Sequence, residues 1–390
     1  MLNHYYIEKL LGLKDIILDN VESSGGQLDI YFHLPRNVHH CPSCHQQTDK
    51  IHDYRLQKFK DTPVSGNVTY FHYKKRRYVC SHCNKRFYEK NTFLPRYFRM
   101  STRLIQYIID QMRSTHSMTD IAKHCNLSIT TIFRVFKFID YTNTTMPRVL
   151  SIDEFKGNAG RKYQGIITDP VNKKVLDILP GREQHLLSSY FRTFKNRHQV
   201  EYFIMDMWSP YRDIAQTYFK NATIVIDKYH WIRQVTWAFD RVRKQEQKKF
   251  YTSRRKYFKR SRHLMLKRSR YLSDEEKDQV AIMLETSERL SNAYILKEKF
   301  YEFVDSPNSK IALKRLKEWY IFVEALNEPE FKTCMKTMIN WQPYILNSFD
   351  CPYTNGFTEG VNNKIKVLKR NAYGMQNFKR FKNRILHMMA

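Results

Sequence analysis

Three regimes of hydrophobic patterning follow one another along the chain. Up to about residue 95 the apolar residues fall in short runs of strand length, with a Gly25-Gly26 turn between "DIILDNVES" and "QLDIYFHLP", a pattern that predicts strands joined by tight turns. Residues 96 to about 146 read as helices. Within them "SMTDIAKHCNLSITTIFRVFKFID" places Ile121 and Ala122 inward on one helix, turns at Asn126-Leu127-Ser128, and places Ile132 and Val135 inward on a second helix that Ser128 can cap. From Arg148 short strands return in "RVLSIDEF", "KYQGIITD" and "KVLDILPG"; a helix from about Glu183 to Asn196, the strand "EYFIMD", a short helix and the strand "ATIVID" follow. Tight turns followed by strand-helix alternation predict a mixed sheet flanked by helices. From about 228 to 347 the pattern is helical throughout.

Charge adds the class of partner. The 390 residues carry 67 Lys plus Arg against 38 Asp plus Glu, a formal net charge of +29, which points to a polyanion and first to nucleic acid. Hydrophobic residues at 42% and aromatics at 14% supply packed cores and exclude wholesale disorder. No run approaches the roughly 18–20 apolar residues of a spanning helix, and "MLNHYYIEKLLGLKD" lacks a signal-peptide pattern. A soluble, cytoplasmic protein is therefore expected. In this basic context Ile129, Thr130, Thr131 and Arg134, near the exposed start of the second helix, stand where base edges are read.

Four of the seven cysteines form two close pairs, Cys41/Cys44 in "HHCPSCHQ" and Cys80/Cys83 in "YVCSHCNK". Each pair lets one knuckle turn grip an ion, and four thiolates complete a closed tetrahedral site, which predicts a zinc ribbon with one structural zinc. His39, His40, His45 and His82 lie nearby as substitutes, but four cysteines suffice. Cys125 reads as a small buried apolar residue.

Carboxylates supply candidate chemistry. "VLSIDEF" ends a strand at Asp153, "FIMD" another at Asp206 and "IVID" a third at Asp227, while "NGFTEGVNNKIKVLKR" opens a helix with Glu359 near its start. In an RNase H-like sheet the first and fourth strands are neighbours, so Asp153 and Asp206 could share a pair of divalent ions, magnesium or manganese, with Glu359 closing the site. Asp227 rivals Asp206, and spacing does not choose between them. Glu154 falls on the opposite strand face, and Asp169 in "TDP" reads as turn chemistry. Asn363 lies one turn beyond Glu359 and Lys366 two turns, about 10.5 Å along the axis; Lys366, Lys369 and Arg370 could clamp phosphates.

With these motifs in place, the chain resembles the bacterial insertion-sequence transposases of the ISL-three group, which carry a DDE catalytic triad. "CPSC" and "CSHC", "SMTDIAKHCNLSITTIFRVF", "IDEF" with its following glycine, "DMWSPY" and "NGFTEGVNNKIKVLKRNAYG" carry the resemblance over nearly the whole chain. It implies the triad Asp153, Asp206 and Glu359 holding two magnesium ions. "DKYH", Asp227 to His230, resembles the Asp-x-x-His signature of Mutator-like relatives, which makes Asp227 and His230 supporting residues. It also implies an all-helical insertion at about 240 to 340. There, residues 241 to 270 hold 14 Lys or Arg, among them Arg254, Arg255, Lys259 and Arg260, against the single acid Glu246, a density suited to phosphate binding. Trp208, Trp231 and Trp237 read as packing residues rather than base-stacking wedges.

The expected architecture is a multidomain α+β and α/β chain: a zinc-ribbon DNA-binding domain (1–95), a helix-turn-helix (96–146), the first part of an RNase H-like catalytic core (147–239), an all-helical insertion (240–345) and a C-terminal helical part of the core (346–390). The expected activity is binding of terminal inverted repeats, metal-dependent 3′-end cleavage and strand transfer into target DNA, with the chain acting as a homodimer or higher oligomer. The rivals are a DNA-binding regulator with an inactive core, which a lost carboxylate would mark, and a structure-specific nuclease of the same core fold.

Overall fold

Within the described residues the computed structural model begins with a hairpin whose turn, Gly25 at φ 57° and Gly26 at φ 78°, uses two successive left-handed residues, the turn that matches strand twist and that glycine enters without strain. The structure describes residues 16–157, 163–260, 262–372 and 375–390, without the side chains of 252–254. These residues divide into two compact units. One comprises the chain up to Tyr141 with Lys366–Met375 and Lys379–Ala390; the other comprises Thr142–Ile365 with Gln376–Phe378.

In the first unit the hairpin strands β1 (Ile17–Ser24) and β2 (Gln27–His33) are followed by the short β3 (His39–His40) and β4 (Gln47–Thr48), then β5 (Ile51–Lys60), β6 (Val68–Val79) and β7 (Arg86–Tyr88). The main sheet runs β1-β2-β6-β5, with β7 on the end of β6 and β2 parallel to β6. Its core is aromatic: Phe32, Phe59, Phe71 and Tyr73 are buried, with Phe32 stacked on Tyr73 at 5.4 Å. Helices α1 (Thr102–Gln111), α2 (Met118–His124) and α3 (Ile129–Phe136) each start on a serine that caps a free backbone N–H: Ser101, Ser117 and Ser128. Asn126 turns the chain at φ 50° between α2 and α3. Leu104, Ile108, Ile121, Cys125, Ile132 and Val135 bury themselves between the three helices.

In the second unit β8 (Val149–Lys156), β9 (Tyr163–Asp169) and β10 (Lys174–Leu179) form an antiparallel meander. Helix α4 (Gln184–Arg192), β11 (Tyr202–Met205), α5 (Ser209–Tyr218) and β12 (Thr223–Ile226) follow. The sheet order is β10-β9-β8-β11-β12, with β11 parallel to both β8 and β12, the mixed RNase H-like order expected. Helices α6 (Lys228–Gln247), α7 (Thr252–Arg260), α8 (Arg262–Leu266), α9 (Asp274–Glu285), α10 (Glu288–Val304), α11 (Ser309–Leu326) and α12 (Pro329–Asp350) come next. The last two are α13 (Gly356–Asn371) and α14 (Phe378–Met389).

Four expectations need adjustment. The boundary expected at 239/240 falls inside α6, and that at 345/346 falls inside α12. The physical reason is a shared core: one apolar cluster runs from Leu150 and Phe203 of the sheet through Trp231 to Phe300 and Trp319, and Asn347 of α12 donates to the Ile224 carbonyl of β12 at 2.8 Å. The segment 346–390 is not all catalytic core, because Lys366–Met375 and Lys379–Ala390 group with the first unit. Buried Arg384 of α14 donates to the carbonyls of Met112, Ser114 and His116, just past the end of α1, where a helix leaves carbonyls unpaired. Trp231 is fully buried, but Trp237 is 46% exposed, with the Arg233 guanidinium over its ring.

Candidate active site and metal centres

Strand register brings the aspartates together. Between β8 and β11, Ile204 pairs with Ser151, and between β11 and β12, Met205 pairs with Ile226. Continuing each ladder past its last pair sets Asp153, Asp206 and Asp227 in one row across three strands, about 4.8 Å apart from strand to strand. Asp153 differs in one respect from expectation: it lies inside β8, which continues to Lys156 against β9. It is open to the site because β11 ends at Met205.

Each carboxylate has its own holder. Asp153 is 7% exposed; it accepts from the Glu154 N–H at 2.7 Å and from Asn362 Nδ2 at 2.8 Å. Asp206 Oδ1 stands 2.9 Å from His230 Nε2, an ion-pair contact off the line of a good hydrogen bond, so that oxygen keeps no hydrogen-bond partner among the described residues. Asp227 caps α6 by accepting from the Tyr229 N–H at 3.3 Å. Burial, then the charge of Asp206, pushes the Asp153 carboxyl up to about 7. Burial also raises Asp227. Burial works against a charged His230, but Asp206, Asp227 and Asp153 outweigh it and raise the imidazole.

Helix α13 reaches this row with polar residues. Asn355, just before it, accepts from the buried Ser151 hydroxyl, the Thr358 and Thr168 hydroxyls meet at 2.7 Å, and Asn362 holds Asp153. Glu359 is half-buried, four residues after Asn355 and three before Asn362, hence on the helix face that these two define. Sequence reasoning missed Ser151, Thr168, Asn355, Thr358 and Asn362. Their signal was available: polar residues at the inward positions of an amphipathic helix, and two hydroxyls flanked by apolar residues in buried stretches of β8 and β9. Asn363 is exposed, and its neighbour Asn362 donates to Asp153. Lys366 and Arg370 are exposed and Lys369 half-buried. On the other strand face Glu154 pairs with Arg182 and accepts from the Tyr211 hydroxyl at 3.3 Å. Asp169 accepts from the N–H groups of Val171 and Asn172, as a turn residue does.

The donor set fits a divalent cation. One ligand atom each from Asp153, Asp206 and His230 lies within 4.8 Å of the others. Among the described residues, buried Asp206 Oδ1, Asp227 Oδ2, Asn355 Nδ2 and Asn362 Oδ1 around the row find no hydrogen-bond partner. Unsatisfied oxygens beside crowded carboxylates are stabilised by positive charge, and hard oxygen donors suit magnesium or manganese.

The cysteine site is equally specific. Cys41 Sγ lies 3.5 Å from Cys83 Sγ, and Cys44 Sγ 3.5 Å from Cys80 Sγ; four sulfurs about 2.3 Å from a tetrahedral zinc stand about 3.8 Å apart. The two knuckles repeat one hydrogen-bond pattern: Cys41 N–H to the Gln46 carbonyl and Cys80 N–H to that of Lys85, with His45 at φ 59° and Asn84 at φ 56°. Backbone N–H groups of Cys44 and Cys83 pull the Cys41 and Cys80 thiols toward thiolate.

On α3, Ile129, Thr130 and Arg134 are exposed, and Thr131 is half-buried with its hydroxyl 2.9 Å from that of Ser128. On α7, Arg255, Lys259 and Arg260 are exposed; the side chain of Arg254 lies outside the described residues. Among the described residues no helix is long and apolar enough to cross a membrane.

Residues 150–385 match a family of ISL3-type DDE sequences described as transposase. Residues 37–83 match the zinc-finger of transposase IS204/IS1001/IS1096/IS1165, and residues 89–139 the helix-turn-helix domain of transposase family ISL3. Over 390 residues the chain is 25% identical to the transposase for insertion sequence element IS1001 of Bordetella parapertussis, covering 97% of this chain and 96% of that protein. A stretch of 56 residues is 46% identical to an ATP-dependent protease of Lactococcus lactis subsp. lactis, covering 14% of this chain and 18% of that protein.

Proposed function

The chain belongs to the ISL3 family of insertion-sequence transposases, and from that premise we propose that it cuts and joins DNA ends with the triad Asp153, Asp206 and Glu359. The observation that carries this is the register-built row of Asp153, Asp206 and Asp227, with α13 fastened to it through Asn362 and Asp153. Asp153 and Asp206 offer oxygens from adjacent strands, and Glu359 offers a third carboxylate from α13. Bound there, two divalent ions supply an activated oxygen nucleophile and charge stabilisation of the leaving oxygen. Asn362 fixes the Asp153 carboxylate and leaves its second oxygen to the Glu154 N–H. His230 places positive charge against Asp206 and limits repulsion along the row. Asp227 supports by capping the helix that carries His230.

In this proposal the zinc-bound ribbon and α3 bind the terminal inverted repeats, with Ile129, Thr130, Thr131 and Arg134 at the bases. Arg254, Arg255, Lys259, Arg260, Lys366, Lys369 and Arg370 take phosphates, and a homodimer or higher oligomer pairs the two ends. The deciding assay compares wild type, Asp206→Ala and Asp227→Ala for 3′-end nicking and joining on DNA carrying the element's own ends, with Mg²⁺. Loss of both reactions in Asp206→Ala with end binding intact, and residual activity in Asp227→Ala, is the expected result. A dead Asp227→Ala beside an active Asp206→Ala would move the second catalytic carboxylate to Asp227. A wild type that binds and never cuts under any divalent metal would favour a regulator instead.

A further inference from the structure

Helix α6 leaves the aspartate row with two unlike faces. Trp231, Val235, Ala238, Phe239 and Val242 are buried in the core. On the outer face Tyr229 is 55% exposed and Trp237 46%, and the Arg233 guanidinium lies between them, 5.1 Å from the Tyr229 ring centre and 4.4 Å from that of Trp237. The three residues stand at i, i+4 and i+8, so they form one ladder about 12 Å long. It begins at the site itself: the Tyr229 N–H is bonded to Asp227, and the Tyr229 ring is 5.6 Å from that of His230, which touches Asp206. Arg233 Nε is enclosed and has no hydrogen-bond partner among the described residues.

Core packing does not explain this ladder, since the helix meets its burial requirement on the opposite face. Tyr229 and Trp237 are joined through the Arg233 guanidinium into one contiguous surface, and a contiguous exposed aromatic surface marks an interaction site where a lone exposed ring does not. Alternating aromatic and cationic planes suit the flat faces of unpaired bases, which stack on Trp and Tyr regardless of sequence, while Arg adds a cation–π contact. About 12 Å corresponds to three to four stacked bases at the usual spacing of about 3.4 Å.

We propose that Tyr229, Arg233 and Trp237 form a stacking platform for unpaired bases of the DNA strand beside the scissile phosphate. The platform holds the duplex end open next to the carboxylates. Its position rests on the triad reading above, but its contact with DNA is testable without catalysis.

Two experiments on the full-length protein separate the possibilities. In the first, 5-iododeoxyuridine is placed at single positions beside the scissile phosphate of a duplex carrying the element's end, and the complex is irradiated in Ca²⁺. Crosslinks mapping by mass spectrometry to Tyr229 or Trp237 are expected. In the second, Trp237→Ala and Trp237→Phe are compared on a fully paired end and on one with two mismatched terminal base pairs. Trp237→Ala should slow cleavage of the paired end about tenfold or more, the mismatch should restore most of the rate, and Trp237→Phe should stay near wild type.

Equal slowing on both ends would make Trp237 a structural residue and overturn the platform. So would wild-type rates in Trp237→Ala, or crosslinks only elsewhere. A drop in oligomeric mass of Trp237→Ala by light scattering, with no crosslink in wild type, would assign the face to a second copy and also overturn it. Crosslinks at Trp237 in a wild type that cuts neither end would keep the platform and sink the triad proposal.

Discussion

Asn362 and Asp153 show how much a single hydrogen bond can decide. Asn362 Nδ2 is 2.8 Å from Asp153 Oδ2, and both residues are buried. Removing the donor leaves a carboxylate already raised by burial with less to favour its charge. A hydrogen bond to a charged group contributes about 1.5–3 kcal/mol, so Asn362→Ala should lower stability by up to about that amount and slow single-turnover cleavage about 10-fold or more while end binding by the folded protein changes little. Asp240 presents the structural counterpart. Burial opposes its charge, but Lys244, Arg262 and Arg243 overcome that and hold it down to about 2. Because the folded value lies below the ordinary carboxylate value of about 3.9, the cluster's contribution is present above about pH 4 and is lost as the pH falls through about 2. Asp240→Ala leaves Arg243, whose side chain is 2% exposed, without its carboxylate and should cost about 3 kcal/mol at pH 7. Denaturant titrations should show the gap to wild type narrowing from pH 4 downward.

Elements in this chain are legible where a local rule fixes them. The serine caps of α1, α2 and α3, the glycine hairpin and the two knuckles depend on near neighbours in sequence, so each could be read from its own segment. The knuckles carry a prediction. Four sulfurs, with each opposed pair 3.5 Å apart, need a cation to offset thiolate crowding. A strong chelator, or Cys44→Ser, should release one zinc per chain in metal analysis and abolish end binding, with the near-ultraviolet circular dichroism of the aromatic sheet core reduced. Elements were less legible where a neighbour from far along the chain decides the outcome. The polar residues of α13 make sense only against Ser151 and Thr168, about 190 to 207 positions away.

For the whole molecule the unforeseen feature is the return of the chain's end to its beginning. Buried Arg384 bonds three carbonyls beyond α1, Asn383 donates to the Ile139 carbonyl, and His387 lies 2.7 Å from both the Tyr141 hydroxyl and the Ile109 carbonyl. Helix α14 is therefore a fourth helix of the helix-turn-helix unit. Deleting residues 376–390 should lower the melting temperature of this unit and weaken end binding at least tenfold, as followed by calorimetry and gel shift. A variant with unchanged binding would show that α1 to α3 stand by themselves. Arg384→Met should reproduce part of the loss, because it removes the donors and leaves the carbonyls buried, at about 1–3 kcal/mol per unsatisfied group.

The sequence by itself determined what depends on short range and on composition. It determined the cysteine knuckles, the helix-turn-helix, the succession of strands and helices in the core, and the preference of a +29 chain for polyanions. Only the tertiary structure decided which polar side chains meet. Strand register put Asp153, Asp206 and Asp227 in one row, burial set Asp153 apart from ordinary carboxylates, and long-range docking brought Asn362 to Asp153 and joined α14 to α1. Those outcomes rest on contacts between residues far apart in sequence, whose energies no local periodicity records.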